Sequence, residues 1–352
     1  MHILIIKTGA LGDVVRTAYF ARYLYERQSE HLRISWYTLN ECVPLLRFNP
    51  FIEDIWTDPS SLATHRFDHV YSLDDERNCA AIATATSHVK LTGAYVDDTC
   101  VVRYTDDAAC WFDMGLISKH GKDSADQLKR ANLLGHAEIF SRIFDTAIPH
   151  PNFFGRPIDA SYRSSEGSPG EIRIGINPFA GARWPSKALP KGELLPLLRG
   201  LDSALSEVGL LGDFRLFGAG TDYARNLETV QHCSDLTGTS TAVDTSSSLL
   251  RFAAEIKDLD ILISSDSLAL HLAISQMVPF VAFFTATSAT EIDSFGLGKK
   301  VLSTSPDYCS YSPHADNSSI TWSRLLEAVK EVLTSKAIVP HGIFYDMQAE
   351  AK

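Results

Sequence analysis

The sequence predicts an α/β protein made of two doubly wound, Rossmann-like domains, on three observations. The chain opens on an apolar run, Ile3–Ile6, that leads directly into a glycine-containing turn and then a helical stretch. The same strand, turn and helix order restarts at Ile172–Ile176, after a stretch rich in proline, glycine and serine. Strand-length apolar runs then alternate with helix-length amphipathic ones in both halves, which is the rhythm of parallel sheets with crossover helices.

Taken in order, Ile3–Ile6 reads as a strand buried on both faces, and Val14–Tyr25 as the helix behind it, with Val15, Tyr19 and Leu24 at helical spacing. Arg33–Tyr37, Ile52–Trp56 and His69–Leu73 read as further strands. Asp97–Ala147, with Trp111, Phe112, Met114, His120, Lys122, Lys129 and Arg130, shows helical spacing and no clear strand. The breakers between Pro149 and Gly170 mark an interdomain linker.

In the second half the expected strands are Ile172–Ile176, Phe214–Gly218, Leu259–Ile263 and Phe280–Phe284. The expected helices lie near Leu194–Leu198, Ala224–Val230, Ser248–Ile256 and Leu268–Gln276. Trp322–Leu333 carries one apolar stripe, so it reads as a surface helix. The resulting domain limits are 1–160, 161–330, and 331–352 for the last helix end and tail.

Composition narrows the function classes. The 352 residues are 45% hydrophobic and 21% charged, as expected of a globular chain long enough for two cores. No run approaches the roughly 18 apolar residues of a membrane span, and no signal-peptide pattern opens the chain, so the expected location is the cytoplasm. The net charge of −11 argues against a nucleic-acid partner. Cys42, Cys79, Cys100, Cys110, Cys233 and Cys309 are scattered without a C-x-x-C pair, so free thiols are expected and no metal site.

The candidate chemistry sits at strand ends, where open α/β sheets bind ligands. Thr8, Gly9 and Gly12 form the first turn, and Asp13 stands at the helix start, able either to cap orphan N–H groups or to face a ligand. The loop Asn177–Lys187 follows the second domain's first strand; Gly181 loosens it, and Arg183 and Lys187 supply a planar fork and a point charge suited to a diphosphate. Behind Leu259–Ile263 comes Ser264-Ser265-Asp266-Ser267, then a helix bearing His271. Asp266 or Ser267 reads as its cap, and His271 as a core histidine or a ligand contact. Thr285-Ala286-Thr287 adds hydroxyls after Phe280–Phe284. The turns lack the G-x-G-x-x-G fingerprint, a Walker lysine and a G-x-S-x-G elbow, which excludes dinucleotide, P-loop and serine-hydrolase readings.

In order and spacing, the opening I-L-I-I-K-T-G-A-L-G-D-V, the loop G-A-R-W-P-S-K-A-L-P, and the stretch from D-L-T-G (Asp235–Gly238) through S-S-D-S-L-A-L-H-L-A to V-P-F-V-A-F-F-T-A-T-S resemble glycosyltransferase family 9, the ADP-heptose heptosyltransferases. The resemblance implies a GT-B fold, with two Rossmann-like domains facing across a cleft. It implies a metal-independent, inverting transfer of a sugar from a nucleotide sugar, typically ADP-heptose, to an acceptor hydroxyl, as in lipopolysaccharide biosynthesis, with no cofactor. Asp13 would be the general base, Lys187 would hold the donor diphosphate, and Asp266, Ser267 and His271 would lie at the donor. The acceptor would be a sugar, a protein hydroxyl or a small molecule. Iron-bound, protein-modifying members of the family use clustered cysteines, which this chain lacks. Leu268 stands where the family usually has glycine, and Thr285-Ala286-Thr287 where it commonly has G-P-T, implying a donor pocket of altered shape. The alternatives are a nucleotide-sugar-binding protein and a GT-B epimerase that needs no acceptor.

Overall fold

A computed structural model of the chain describes residues 1–28, 32–151, 170–181 and 184–339. It divides into two compact units, one made of Met1–Pro157 with Thr290–Asp293, the other of Ile158–Ala289 with Ser294–Lys352. Most of the expected linker, with the limit at 160, lies outside the described residues, as does Arg183. Thr290–Asp293, expected in the second domain, belongs to the first unit. No described helix is long and apolar enough to cross a membrane.

The first unit runs β1 (His2–Ile6), α1 (Leu11–Ala18), α2 (Phe20–Gln28), β2 (Arg33–Tyr37), α3 (Val43–Leu46), β3 (Asp54–Trp56), β4 (Arg66–Ser72), α4 (Arg77–Ala85), β5 (Ser87–Val96), β6 (Val102–Tyr104), α5 (Ala109–Phe112), α6 (Lys122–Ala131) and α7 (His136–Phe144). Its six-stranded sheet has the order β3-β2-β1-β4-β5-β6, parallel except for the antiparallel β5–β6 pair. Strand β6 corrects the expectation of no strand between Asp97 and Ala147. It is three residues long at the sheet edge, so burial imposes no apolar pattern on it.

The second unit runs β7 (Glu171–Asn177), α8 (Leu194–Ser206), β8 (Leu211–Gly218), α9 (Thr221–Gln231), β9 (Thr239–Asp244), α10 (Leu249–Lys257), β10 (Ile261–Ser265), α11 (Leu268–Ser275), β11 (Phe280–Phe284), β12 (Gly298–Leu302) and α12 (Trp322–Ser335). All pairs in its sheet are parallel, in the order β12-β11-β10-β7-β8-β9. Strands β10 and β11 are buried at every residue, as expected for central strands covered by helices on both faces. Leu325, Leu326, Val329 and Val332 of α12 pack into one core with Leu197, Leu198 and Leu201 of α8 and with Ile174, Ile176, Phe214 and Ile263 from the sheet. Thr237 and Gly238 of the D-L-T-G motif donate their backbone N–H groups to the Asp202 carboxylate, at 2.8 Å each, so this motif ties the approach to β9 onto α8.

Each sheet has one point where the strand order reverses. In the first unit it lies between β1 and β4, in the second between β7 and β10. The loops leaving adjacent strands there run in opposite directions and open a crevice at the carboxyl edge. Those loops carry the residues described next.

Candidate functional site

In the first unit, the loop after β1 is held from below by Asp74, at the end of β4. Its carboxylate pairs with the Lys7 ammonium and accepts from the Thr8 backbone N–H and, at 2.8 Å, from Thr8 Oγ1. Lys7 and Asp74 are 7% and 3% exposed, so the pair is desolvated, and Lys7 is fixed as a structural cation. Burial alone would lower the Lys7 pKa, yet it is raised, because the carboxylates of Asp74 and Asp13 favour the ammonium more strongly. Thr8 Oγ1 also lies 3.3 Å from Cys79 Sγ. Burial, with the Asp74 carboxylate behind it, pushes the Cys79 thiol up to about 12.

Asp74, Glu76 and Cys79 place possible metal ligands within 4.8 Å of one another. The Asp74 carboxylate is already engaged by the Lys7 ammonium and by the Thr8 N–H and hydroxyl. The group fits a hydrogen-bonded support for the turn. Cys42, Cys79, Cys100, Cys110 and Cys233 are thiols outside any disulfide.

Beyond Thr8 the turn rises toward solvent. Gly9 is half-buried and Gly12 buried, and α1 begins at Leu11, which puts Asp13 in its first turn. The capping option is realised only weakly, since the Ala10 N–H reaches Asp13 Oδ2 at 3.3 Å. The stronger contact is an ion pair from Asp13 Oδ1 to Arg16 Nη2 at 2.7 Å. Sequence reasoning missed Asp74 and Arg16. A signal for Asp74 existed in the run Leu73-Asp74-Asp75-Glu76 directly behind a strand.

In the second unit, the reversal point brings Lys187, Asp266, Ser267, His271 and Thr287 together. Lys187 Nζ donates to Asp266 Oδ2 at 2.8 Å and to the Asp266 main-chain oxygen at 3.2 Å. Thr287 Oγ1 donates to the same Oδ2 at 2.8 Å, and His271 Nε2 lies 3.7 Å from Oδ1. Burial would raise the Asp266 pKa, but the Lys187 ammonium and then His271 hold it well below the usual carboxylate range. The Lys187 ammonium also stands 5.4 Å from the centre of the Trp184 ring.

Neither expected cap is realised by a side chain. Ser267 occupies the cap position of α11, but its hydroxyl lies 3.0 Å from Ser264 Oγ and 3.1 Å from Asn177 Nδ2. Ser264 and Ser265, expected in the loop, are the last two residues of β10. Leu268 opens α11. Gly181 is exposed at φ +71°, with nothing within 4 Å of where a Cβ would stand, so glycine there serves the left-handed backbone. The arrangement presents a cation, hydroxyls and the first-turn N–H groups of an eight-residue helix at one sheet edge, a set suited to an anionic group.

No family model and no curated protein matches the sequence. Solved structures do. A glycosyl transferase family 9 protein from Veillonella parvula superposes with a TM-score of 0.67 at 16% identity, over 95% of this chain and 97% of that one. The ADP-heptose lps heptosyltransferase II of E. coli gives 0.65 at 18% identity, over 96% and 100%. The E. coli heptosyltransferase WaaC, solved with ADP-2-deoxy-2-fluoro heptose, gives 0.59 at 13% identity, over 96% and 100%. The chain shares the fold of these proteins: two α/β units, each built on a parallel sheet.

Proposed function

We propose that the protein is a glycosyltransferase of the heptosyltransferase type, moving a sugar from a nucleotide sugar, ADP-heptose in the first instance, to an acceptor hydroxyl with inversion and without a metal ion. The observation that carries this reading is the Lys187–Asp266–Thr287 network at the reversal point of the second sheet. The fold shared with the heptosyltransferases supports it.

In the reaction, the acceptor oxygen attacks the anomeric carbon and forms the new glycosidic bond. The bond from that carbon to the phosphate oxygen breaks, and the nucleoside diphosphate leaves with the electron pair. Asp13 takes the acceptor proton. Lys187 and the N-terminus of α11 neutralise the charge that develops on the leaving diphosphate. Asp266 is an acceptor, so toward an anion it acts through Lys187, whose ammonium it aims, and through the Thr287 hydroxyl that it orients. Toward the sugar it offers a carboxylate to the hydroxyls.

Asp13→Ala is expected to abolish release of ADP in the presence of an acceptor, while titration calorimetry finds ADP-heptose affinity within about threefold of the parent. Unchanged turnover removes Asp13 from the mechanism. Lys187→Ala is expected to weaken ADP and ADP-heptose alike by about tenfold or more, the scale of one lost charge-assisted bond. Equal affinity for both proteins sinks the diphosphate role. Loss of donor with no acceptor present, yielding an isomer or free sugar, marks an epimerase instead.

A further inference from the structure

We propose that Arg16 is a positioning residue for Asp13, and that the segment Thr290–Asp293 holds Arg16 in place. The inference rests on the reading of Asp13 as the base and extends it to a residue that no motif singled out.

Three contacts fix the guanidinium. Nη2 binds Asp13 Oδ1 at 2.7 Å, Nη1 donates to the Glu291 main-chain oxygen at 3.4 Å, and the guanidinium carbon lies 5.8 Å from the centre of the Trp111 ring. The Arg16 side chain is 12% exposed, whereas that of Asp13 is 34% exposed. The cation is embedded and the carboxylate it holds reaches solvent.

The segment is itself anchored. Asp293 Oδ2 accepts the Ala137 N–H at 2.8 Å, capping α7, and the Glu291 oxygen also accepts the His136 N–H at 3.1 Å. Gly135 leaves room for this cap, since a Cβ would stand 2.0 Å from Asp293 Oδ1 and push that carboxylate aside. Trp111 packs edge-on against His136 and Phe140 of the same helix, so the ring under Arg16 and the carbonyl beside it share one support.

Helix stability does not call for this construction. An ion pair three residues apart on a part-exposed helix adds little to its stability. Orientation does call for it. A carboxylate in the first turn of a helix can rotate about two side-chain bonds, and a base displaced by about 1 Å can lose on the order of 100-fold in rate. By holding Oδ1, Arg16 removes that rotation and sets the direction in which the other oxygen meets a hydroxyl. Glu291 stands four residues after Thr287, so the support for the base is contributed by the chain that leaves the donor loop.

The test compares Arg16→Gln, Arg16→Lys, Asp293→Ala and Asp13→Ala in the full chain. It uses ADP-heptose with a lipopolysaccharide inner-core acceptor and follows ADP release. Arg16→Gln is expected to lower kcat by about 10- to 100-fold with donor KM within twofold. Arg16→Lys, which keeps the charge and one bond to Asp13, should recover most of the loss. Asp293→Ala, which removes the acceptor that caps α7, should lower kcat severalfold with KM unchanged. A kcat for Arg16→Gln within twofold of the parent, while Asp13→Ala is inactive, overturns the positioning role and leaves the base reading standing. A fall in kcat together with a raised donor KM and a lowered melting temperature shows a structural role and also overturns it. Full turnover in Asp13→Ala overturns the base reading, and this inference with it.

Discussion

Replacing Asp74 with Asn tests whether the turn bearing Asp13 is held by a buried ion pair. Asn keeps the volume but offers one acceptor oxygen where the carboxylate accepts from the Lys7 ammonium, the Thr8 N–H and Thr8 Oγ1. The amide NH2 then faces another donor, and the ammonium of a residue only 7% exposed loses its counter-charge. Stranding one member of a buried pair costs about 3–5 kcal/mol. The first unit has about 160 residues, and each kcal/mol shifts the melting of a unit that size by about 2–4 °C, so its transition should fall by about 6 °C or more in calorimetry. Adding Lys7→Met removes the stranded charge, so the double variant should melt above Asp74→Asn alone, a non-additivity that simple loss of contacts does not produce. Because folding raises the Lys7 pKa above 10.5, the pair contributes fully below that pH and its contribution is lost as pH rises through the folded value. The gap between parent and Asp74→Asn should therefore be widest at neutral pH and close as pH rises, because burial without the carboxylate lowers the Lys7 pKa in the variant and lets it neutralise first. A melting point within 2 °C of the parent, or a double variant less stable than the single, refutes the reasoning.

Three further outcomes follow from the same geometry. With its thiol pushed up to about 12, Cys79 should resist iodoacetamide at pH 8 while the exposed Cys100 is labelled, as read by peptide mass spectrometry. Gly135→Ala should push Asp293 off the start of α7, cost about 1 kcal/mol as a lost cap, and raise hydrogen exchange at the Ala137 amide. Asp266, held well below 3.8, contributes stability that is fully present above that pH and is lost as pH falls through its folded value. Lys187→Met removes the main cause of that depression, so the acid-unfolding midpoint should move to higher pH, measured by circular dichroism.

Ile3–Ile6 and Phe280–Phe284 were legible because strands buried on both faces leave unbroken apolar runs, and Ile172–Ile176 because buried isoleucines recur at every second position. Several strands at or near a sheet edge were not, although the edge strand β3 falls within the expected Ile52–Trp56. Ser87–Val96, Thr239–Asp244 and Gly298–Leu302 are largely half-exposed, so Lys, Thr and Ser are tolerated on them and no periodicity marks them. Lys187, Asp266 and Thr287 drew notice in the sequence because each lies in a segment that follows a strand. Their mutual pairing was not legible: Lys187 and Asp266 meet only because β7 and β10 are neighbours, 79 residues apart in the chain. Arg16 and Glu291 are 275 residues apart, a distance across which local pattern carries no information.

The pieces of sequence that carry the family resemblance answer to two different physical demands. D-L-T-G is architectural, because its backbone N–H groups saturate Asp202 and bind β9's approach to α8. The turn at Lys7–Asp13 and the group at Lys187, Asp266 and Thr287 instead bring charge to the one point in each sheet where the strand order reverses. Leu268 belongs with the second kind. It is the first residue of α11, in ordinary helical backbone, so nothing in the chain's conformation there requires the glycine usual in the family. A demand for glycine at that position comes from how closely a ligand approaches the helix N-terminus, since leucine keeps the N–H and adds bulk in front of it. Under the proposed function, leucine at this position acts on the size of the group admitted beside Asp266, and it leaves the fold that carries Asp266 as it is.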